Sequence, residues 1–409
     1  MLRATVLSSH LPLKRVPLGV LCVRGVATSS TGASRQRSTA SEGRALGSND
    51  GSPSLPTREP ANEPAVSDKS QPSSAALSSQ VSHEHEEHRV LGNRHTTSSV
   101  LTRESAVSTL PPKGDWVMFH PVYTPEELKS VEVLHQKADT PQDMIGYGLV
   151  KFFRWGYDLV TGYKHKPLPK DADKMTIQEL RKAGYLLSDT DWLNRIVFLE
   201  TIAGVPGMVA GALRHLKSIR LLKRDNGWIH TCLEEAENER MHLMTFMKLR
   251  QPGLFFRGVI LGAQGVFYNL FFLMYLISPK SCHRFVGYLE EEAVFTYTHC
   301  IEELEAGRIP EWENKPAPEI AIDYWRLPAD AKMIDVIYAV RSDETTHRFV
   351  NHSLANLDHH TDVNPFAMRE PDMHVKGKKI AFERHEAEEY LLESQKLLCQ
   401  KSLEEPNPK

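Results

Sequence analysis

Between residues 143 and 357, apolar side chains recur every three or four positions, the spacing that builds one buried face of an α-helix. The pattern predicts helices over 143–160, 191–222, 228–249, 254–278, 283–303 and 328–357. Thr176-Ile177-Gln178-Glu179 is a capping box that opens a further short helix. Pro206-Gly207 should bend the 191–222 helix, because proline removes a backbone donor and crowds the preceding turn. Gln251-Pro252-Gly253 and Pro279-Lys280 punctuate the series, and a loop containing Pro310, Pro316 and Pro318 precedes the last long helix. No alternating strand pattern interrupts these helices, so the fold class is all-α. The segment 358–409 reads as a polar tail with one helix at 380–398 and no assigned chemistry.

A few polar residues continue the apolar stripes. On the last long helix Met333, Ile337, Val340, Glu344 and His347 are spaced 4, 3, 4 and 3 apart. Cys232, Glu235, Glu239, His242 and Phe246 share a face of 228–249, and Val286, Glu290, Ala293, Val294 and Tyr297 share a face of 283–303. Glu200 is the only acid between Trp192 and Leu213. A solvated face accounts for Glu234, Glu237, Glu302 and Glu303, but not for Glu200, Glu290 or Glu344. Spacing alone does not choose among Glu290, Glu291 and Glu292. A third Glu-x-x-His pair, Glu132 and His135, stands in a polar stretch with no evident use.

Unpaired buried carboxylates are heavily penalised, so such groups are paired, protonated or bound to metal. One Glu from each of two helices and Glu-x-x-His from each of two others is the donor set of carboxylate-bridged di-iron bundles. Four carboxylates also balance the charge of two Fe(II) ions, which lets the cluster be buried.

The first acidic residue is Glu42, preceded by Arg3, Lys14, Arg15, Arg24, Arg35 and Arg37 among many Ser and Thr. Residues 1–40 therefore read as a mitochondrial presequence. A secretory signal is the rival, given the apolar stretch 16–26, but basic residues inside it and a polar continuation oppose that. Residues 41–112 are rich in Ser, Thr, Pro and acids, and read as a disordered linker. Its tract His83-Glu84-His85-Glu86-Glu87-His88 reads as a solvated charge run rather than a metal site. Ordered chain is expected from near Trp116, in one domain over 113–357. The five cysteines contain no C-x-x-C pair, which excludes a zinc ribbon, and Cys232, Cys282 and Cys300 read as packing residues. A net charge of −3 gives no sign of a nucleic-acid partner.

Four motifs carry a resemblance. Leu199-Glu200-Thr201, Asn238-Glu239-Arg240-Met241-His242-Leu243, the run Leu289-Glu290-Glu291-Glu292-Ala293-Val294-Phe295-Thr296-Tyr297-Thr298, and Arg341-Ser342-Asp343-Glu344-Thr345-Thr346-His347-Arg348 resemble the signatures of the mitochondrial alternative oxidases. The resemblance implies a ferritin-like four-helix di-iron bundle with additional membrane-surface helices. It implies Glu200, Glu239, His242, Glu290, Glu344 and His347 as ligands of two iron ions, and so picks Glu290 from the triplet. It places Tyr297 beside the cluster with Asn238, Tyr324, Trp325 and Asp343 around it. It implies a ubiquinol pocket lined by Arg195, Leu199, Glu292, Ala293 and Thr296. The activity implied is ubiquinol oxidation with reduction of O2 to water and no proton pumping, by a homodimer on the matrix face of the inner mitochondrial membrane. Two departures stand out. Ser342 and Thr345 replace the alanines usual in the last motif, which should tune packing and leave the metal in place. No cysteine lies between residues 23 and 231, so the thiol control of plant members is not expected.

The uncharged stretch 258–278 is long enough to span a bilayer, although Gln264, Tyr268 and Asn269 interrupt it. Spanning would put Glu200 within the bilayer. Binding in one leaflet through 143–157 and parts of 202–222 is the preferred expectation, with a basic rim of Arg214, His215, Lys217, Arg220, Lys223 and Arg224. The rival readings are a quinone-ring hydroxylase or radical protein of the same metal class, an iron-storing cage, and a metal-free membrane anchor. Product analysis, cage assembly and metal content separate them.

Overall fold

A computed structural model describes His120, residues 122–161 and residues 166–404. All fall within one compact unit. The presequence-like and linker segments, and Trp116, lie outside the described residues.

The described residues are helical and contain no strand, only an isolated bridge between Pro316 and Lys332. Twelve α-helices follow in order: α1 (Pro125–Lys129), α2 (Pro141–Thr161), α3 (Ile177–Lys182), α4 (Asp189–Ala203), α5 (Val205–Leu221), α6 (Trp228–Leu249), α7 (Leu254–Ile277), α8 (Pro279–Glu305), α9 (Glu319–Trp325), α10 (Met333–Asn356), α11 (Met373–Lys376) and α12 (Arg384–Glu404). The helix expected over 191–222 is two, α4 and α5, broken at Gly204 with Pro206 in the first turn of α5. A Cβ on Gly207 would stand 2.4 Å from the Cys232 carbonyl, so glycine is what lets α5 lie against α6. Pro279 opens α8, not merely closes α7: it takes the first-turn position where its missing N–H costs nothing, and Ser278 caps the turn by accepting from the Ser281 N–H. The expected Pro-rich loop contains α9, which starts after Pro318. The last long helix starts at Met333, five residues later than expected, after a turn closed by Ala331 N–H donating to the Pro328 carbonyl.

Helices α4, α6, α8 and α10 form the bundle. α10 packs along α8, α6 lies against α4 and α5, and α2 packs on α8. The bundle helices build three apolar clusters, to which α4 contributes in one and α6, α8 and α10 in two or more. One holds Trp192, Ile196, Phe246, Ile301, Trp325, Ile337 and Val340. A second holds Val209, Leu213, Phe271, Phe285 and Val286. A third joins Trp228, Phe349 and Leu354 to Phe366 and Phe382 from beyond α10, so the segment after the bundle docks onto it. The polar positions predicted from the stripes fall between these clusters, where no apolar partner is supplied.

Two helices keep apolar outer faces. On α2, Met144, Ile145, Phe152, Trp155 and Leu159 are exposed, and α7 is exposed along most of its length, its most apolar window being only 11% buried. The two touch through Phe153 and Phe267, whose rings are 6.1 Å apart. On α5, Met208, Leu216, Ile219 and Leu221 are exposed as well. Arg214, expected in a basic rim, is buried, paired with Asp225 at 2.9 Å and stacked over Trp228.

Candidate metal centre

The six expected ligands converge, and all are buried. Glu200 comes from α4, Glu239 and His242 from α6, Glu290 from α8, and Glu344 and His347 from α10. They form two donor sets, Glu200, Glu239, His242 and Glu344 in one, and Glu239, Glu290, Glu344 and His347 in the other. Within each set the donor atoms lie within 4.8 Å of one another. Glu239 and Glu344 belong to both, so each could serve two ions. His242 Nδ1 stands 3.2 Å from Glu344, 3.5 Å from Glu200 and 3.5 Å from Glu239. His347 Nδ1 is 2.7 Å from Glu239 and 3.6 Å from Glu344.

Whether a cation fits can be judged from the donors themselves. Glu200 Oε2, both oxygens of Glu239, His242 Nδ1 and His347 Nδ1 are buried without hydrogen-bond partners of acceptable geometry. Orphaned polar atoms at this density are rare in native interiors. Protonation shows the same deficit of positive charge. Burial, with the neighbouring Glu239 and Glu344 carboxylates adding to it, pushes Glu200 up to about 8. Burial and the same two neighbours raise Glu290 well above the carboxylate range. Burial opposes the charged forms of Glu239, His242 and His347 too. There it loses: His347 and His242 hold Glu239 down, and the surrounding acids raise both imidazoles. Two divalent cations would neutralise the four carboxylates, so the site fits a dinuclear metal centre.

The residues expected around the cluster are in place. Asp343 Oδ2 accepts from Asn238 Nδ2 at 2.9 Å, Trp325 Nε1 at 2.8 Å and His242 Nε2 at 3.0 Å. With Nε2 donating to Asp343, a neutral His242 ring would present its Nδ1 lone pair to a metal in the cluster. Asn238 also donates to the Tyr324 hydroxyl at 2.9 Å, and burial raises the Tyr324 phenol. Tyr297 donates a short hydrogen bond to Glu200, and burial with the Glu200 charge lifts its pKa well above the usual phenol value.

Beside the cluster, α2 joins the residues expected to line a pocket. Arg154 pairs with Glu292 of α8, and Lys151 reaches the same carboxylate at 3.3 Å. Three residues along α2, the Tyr157 ring lies 5.0 Å from the Arg195 guanidinium and 5.5 Å from Phe198. Leu199, Ala293 and Thr296 are half-buried on the same helices, and the Thr296 hydroxyl donates to the Glu292 carbonyl at 2.7 Å.

Several residues were missed or misread in the sequence. Arg154, which also pairs with Asp158 at 3.1 Å, and Tyr157 lie in a helix whose sequence shows only charges and aromatics interleaved among apolar residues. Glu303, expected on a solvated face, is 2% exposed, accepting from Trp192 Nε1 at 3.2 Å and facing His299 Nε2 at 3.2 Å. Glu291 and His135 face each other at 2.6 Å, which gives the third Glu-x-x-His copy its use. His120 and Tyr123 both reach Asp343, and no local pattern announced them.

The comparisons with known proteins agree with this geometry. The family model for the alternative oxidases matches residues 123–356. The mitochondrial alternative oxidase of Cryptococcus neoformans var. grubii is 59% identical over 288 residues, 70% of this chain and 72% of that protein. That of Emericella nidulans is 55% identical over 64% of this chain and 72% of its own length, and that of Aspergillus niger 54% over 69% and 82%. All three are over half identical across more than two thirds of their own length, which with the family match leaves one conclusion: the chain belongs to the alternative oxidase family.

Proposed function

We propose that this protein is a mitochondrial ubiquinol oxidase, with two iron ions held by Glu200, Glu239, His242, Glu290, Glu344 and His347. The observation that carries the reading is the pair of donor sets sharing Glu239 and Glu344, buried and short of positive charge. Two irons, when bound, supply the redox chemistry that passes electrons from the quinol to dioxygen. Glu200, Glu239, His242 and Glu344 would hold one ion and Glu239, Glu290, Glu344 and His347 the other.

The chain's own groups then have separable tasks. Asp343 holds the His242 proton on Nε2 and so keeps Nδ1 a donor to metal. Tyr297 holds a proton against Glu200 on the cluster's edge. Glu292, with Arg154 and Lys151 beside it, offers a carboxylate to a quinol hydroxyl at the rim, while Arg195, Leu199, Ala293 and Thr296 shape the pocket. Two quinols release four protons and four electrons, and one O2 takes up both in forming two waters, so the turnover is balanced without a proton path across the bilayer.

The exposed apolar faces of α2 and α7 bury in one leaflet of the inner membrane on the matrix side, and so open the pocket to a lipid-soluble substrate. A second copy of the chain completes a homodimer. The test is the full chain purified in detergent. It should carry two irons per chain and consume oxygen with a quinol in the presence of cyanide, forming quinone and water. An iron-free chain, or an oxygenated quinone product, overturns the reading.

A further inference from the structure

We infer that His120, which precedes the bundle, is a positioning residue for the metal centre, acting through Asp343 and His242. The inference rests on the dinuclear reading above. His120 Nε2 lies 3.0 Å from Asp343 Oδ1, while Asp343 Oδ2 holds His242 Nε2 at the same distance. His120 thus stands two hydrogen bonds from the ring of His242, whose other nitrogen faces the cluster, although it is 223 residues away from Asp343 in sequence.

The contact is built rather than incidental. The His120 side chain is 8% exposed and that of Asp343 only 1%. The ring stacks on Tyr324 with centroids 4.3 Å apart and 22° between planes, and meets Trp325 edge-on at 6.2 Å. Tyr324 and Trp325 are the α9 side chains that also close around Asp343 through Asn238 and directly. Tyr123 donates to the same Asp343 oxygen as His120, at 2.5 Å.

A carboxylate with three donors on Oδ2 could still rotate or tilt away from His242. Donors on Oδ1 remove that freedom and fix the plane of the group. The segment carrying His120 is itself anchored. Arg341 donates to the Leu128 carbonyl at 2.5 Å, Arg348 to the Glu132 carbonyl at 2.9 Å, and Glu291 grips His135 and the Gln136 N–H. The approach chain is therefore tied to α10 and α8, and it brings His120 against Asp343.

The consequence is that metal retention depends on a residue outside the four helices. Removing a group that orients a ligand typically costs 10–100-fold in metal affinity, and with Tyr123 still in place the lower end applies. Full-length wild type, His120→Ala and His120→Gln would be loaded anaerobically with Fe(II) in detergent and challenged with a chromogenic chelator. His120→Ala should release iron about 10-fold faster, and His120→Gln, which keeps an N–H donor, should come back to within about 3-fold of wild type. Release from His120→Ala at the wild-type rate overturns the inference. So does His120→Gln releasing as fast as His120→Ala, since the ring would then matter for packing alone. A wild-type chain that takes up no iron fails the metal reading itself, and the inference with it, a result distinct from either.

Discussion

Two buried polar layers stand on α8 and α10, one residue apart in sequence, and they balance charge in opposite ways. Glu290 belongs to the layer with Glu200, Glu239, His242, Glu344 and His347, where carboxylates and imidazoles face one another and several donor atoms find no proper partner. Glu291 belongs to the other. There His135 Nδ1, the Gln136 N–H and His352 Nε2 all serve its two oxygens at 2.6–2.9 Å. Arg284 points its NH1 at His352 Nδ1 at 3.1 Å, and because an arginine can only donate, His352 must carry its proton on Nε2, toward Glu291. Arg284 also meets Asp143 at 2.6 Å, and against the effect of burial the hydrogen bonds with Thr140, then Arg284, hold that carboxyl below its ordinary range. A Cβ on Gly287 would lie 2.7 Å from the His352 ring, so the close packing of α8 on this layer requires glycine. The difference teaches how to read Glu-x-x-His in a bundle. Where arginine and backbone donors complete the set, the pair is scaffold. Where acids outnumber the protein's own donors, a cation is expected.

The comparison breaks hardest at Glu239, which both donor sets share. Glu239→Ala should strip both metals and bring cyanide-insensitive quinol oxidation to background, read by metal analysis and an oxygen electrode on the same sample. Iron kept at the wild-type level would show that the layer balances itself as the neighbouring one does.

Arg284→Met probes the other layer with the opposite signature. It leaves Asp143 Oδ1 without its charged partner and His352 without its Nδ1 partner, and removing one side of a buried pair costs about 3–5 kcal/mol. Thermal unfolding should therefore shift strongly while iron per folded chain stays unchanged. Loss of iron at unaltered stability would merge the two layers into one.

Acid separates the histidines. His242 and His347 face carboxylates, whereas His283 packs beneath them with the Asn351 amide at 2.9 Å and with Arg214 and His359 nearby. Burial, reinforced by those charges, lowers His283 to about 4 from an ordinary value of 6.5. The unfolded chain then binds the proton more readily, so this stability is complete above pH 6.5 and is lost as pH falls toward 4. By pH 5 the loss is about 2 kcal/mol. His283→Gln should flatten that part of the stability profile between pH 7.5 and 5. An unchanged slope would place the acid sensitivity elsewhere.

What could be read in advance follows from the same physics. Glu200, Glu239, His242, Glu344 and His347 were legible as polar interruptions of apolar helical stretches, whereas spacing left Glu290 level with Glu291 and Glu292 and only the family motif singled it out. The bend at Pro206-Gly207 was legible for a local reason too. Glu291 and Glu303 were not, since a carboxylate satisfied by partners 156 and 111 residues away has the same local sequence as one in water. His120, Tyr123 and Arg154 were missed likewise: their roles lie in contacts between elements, which no periodicity encodes. Helix α9 was hidden by its length, seven residues among prolines, although it brings Tyr324 and Trp325 to the site.

The smallest effect belongs to the two hydroxyls that replace alanines between the layers. Ser342 Oγ donates to the Tyr338 carbonyl at 3.1 Å and Thr345 Oγ1 to the Arg341 carbonyl at 2.8 Å, each returning to its own helix four residues back. Neither hydroxyl is directed to a donor set, so both layers should be indifferent to it. Thr345→Ala removes a hydroxyl and its acceptor's second bond together with a buried methyl, and gains helix propensity, leaving a net change of about 1 kcal/mol or less. Iron content and quinol oxidation should match wild type. A loss of iron in Thr345→Ala would mean that the hydroxyl, through α10, holds Glu344 in register, and the cluster would then depend on helix geometry more finely than its ligand distances suggest.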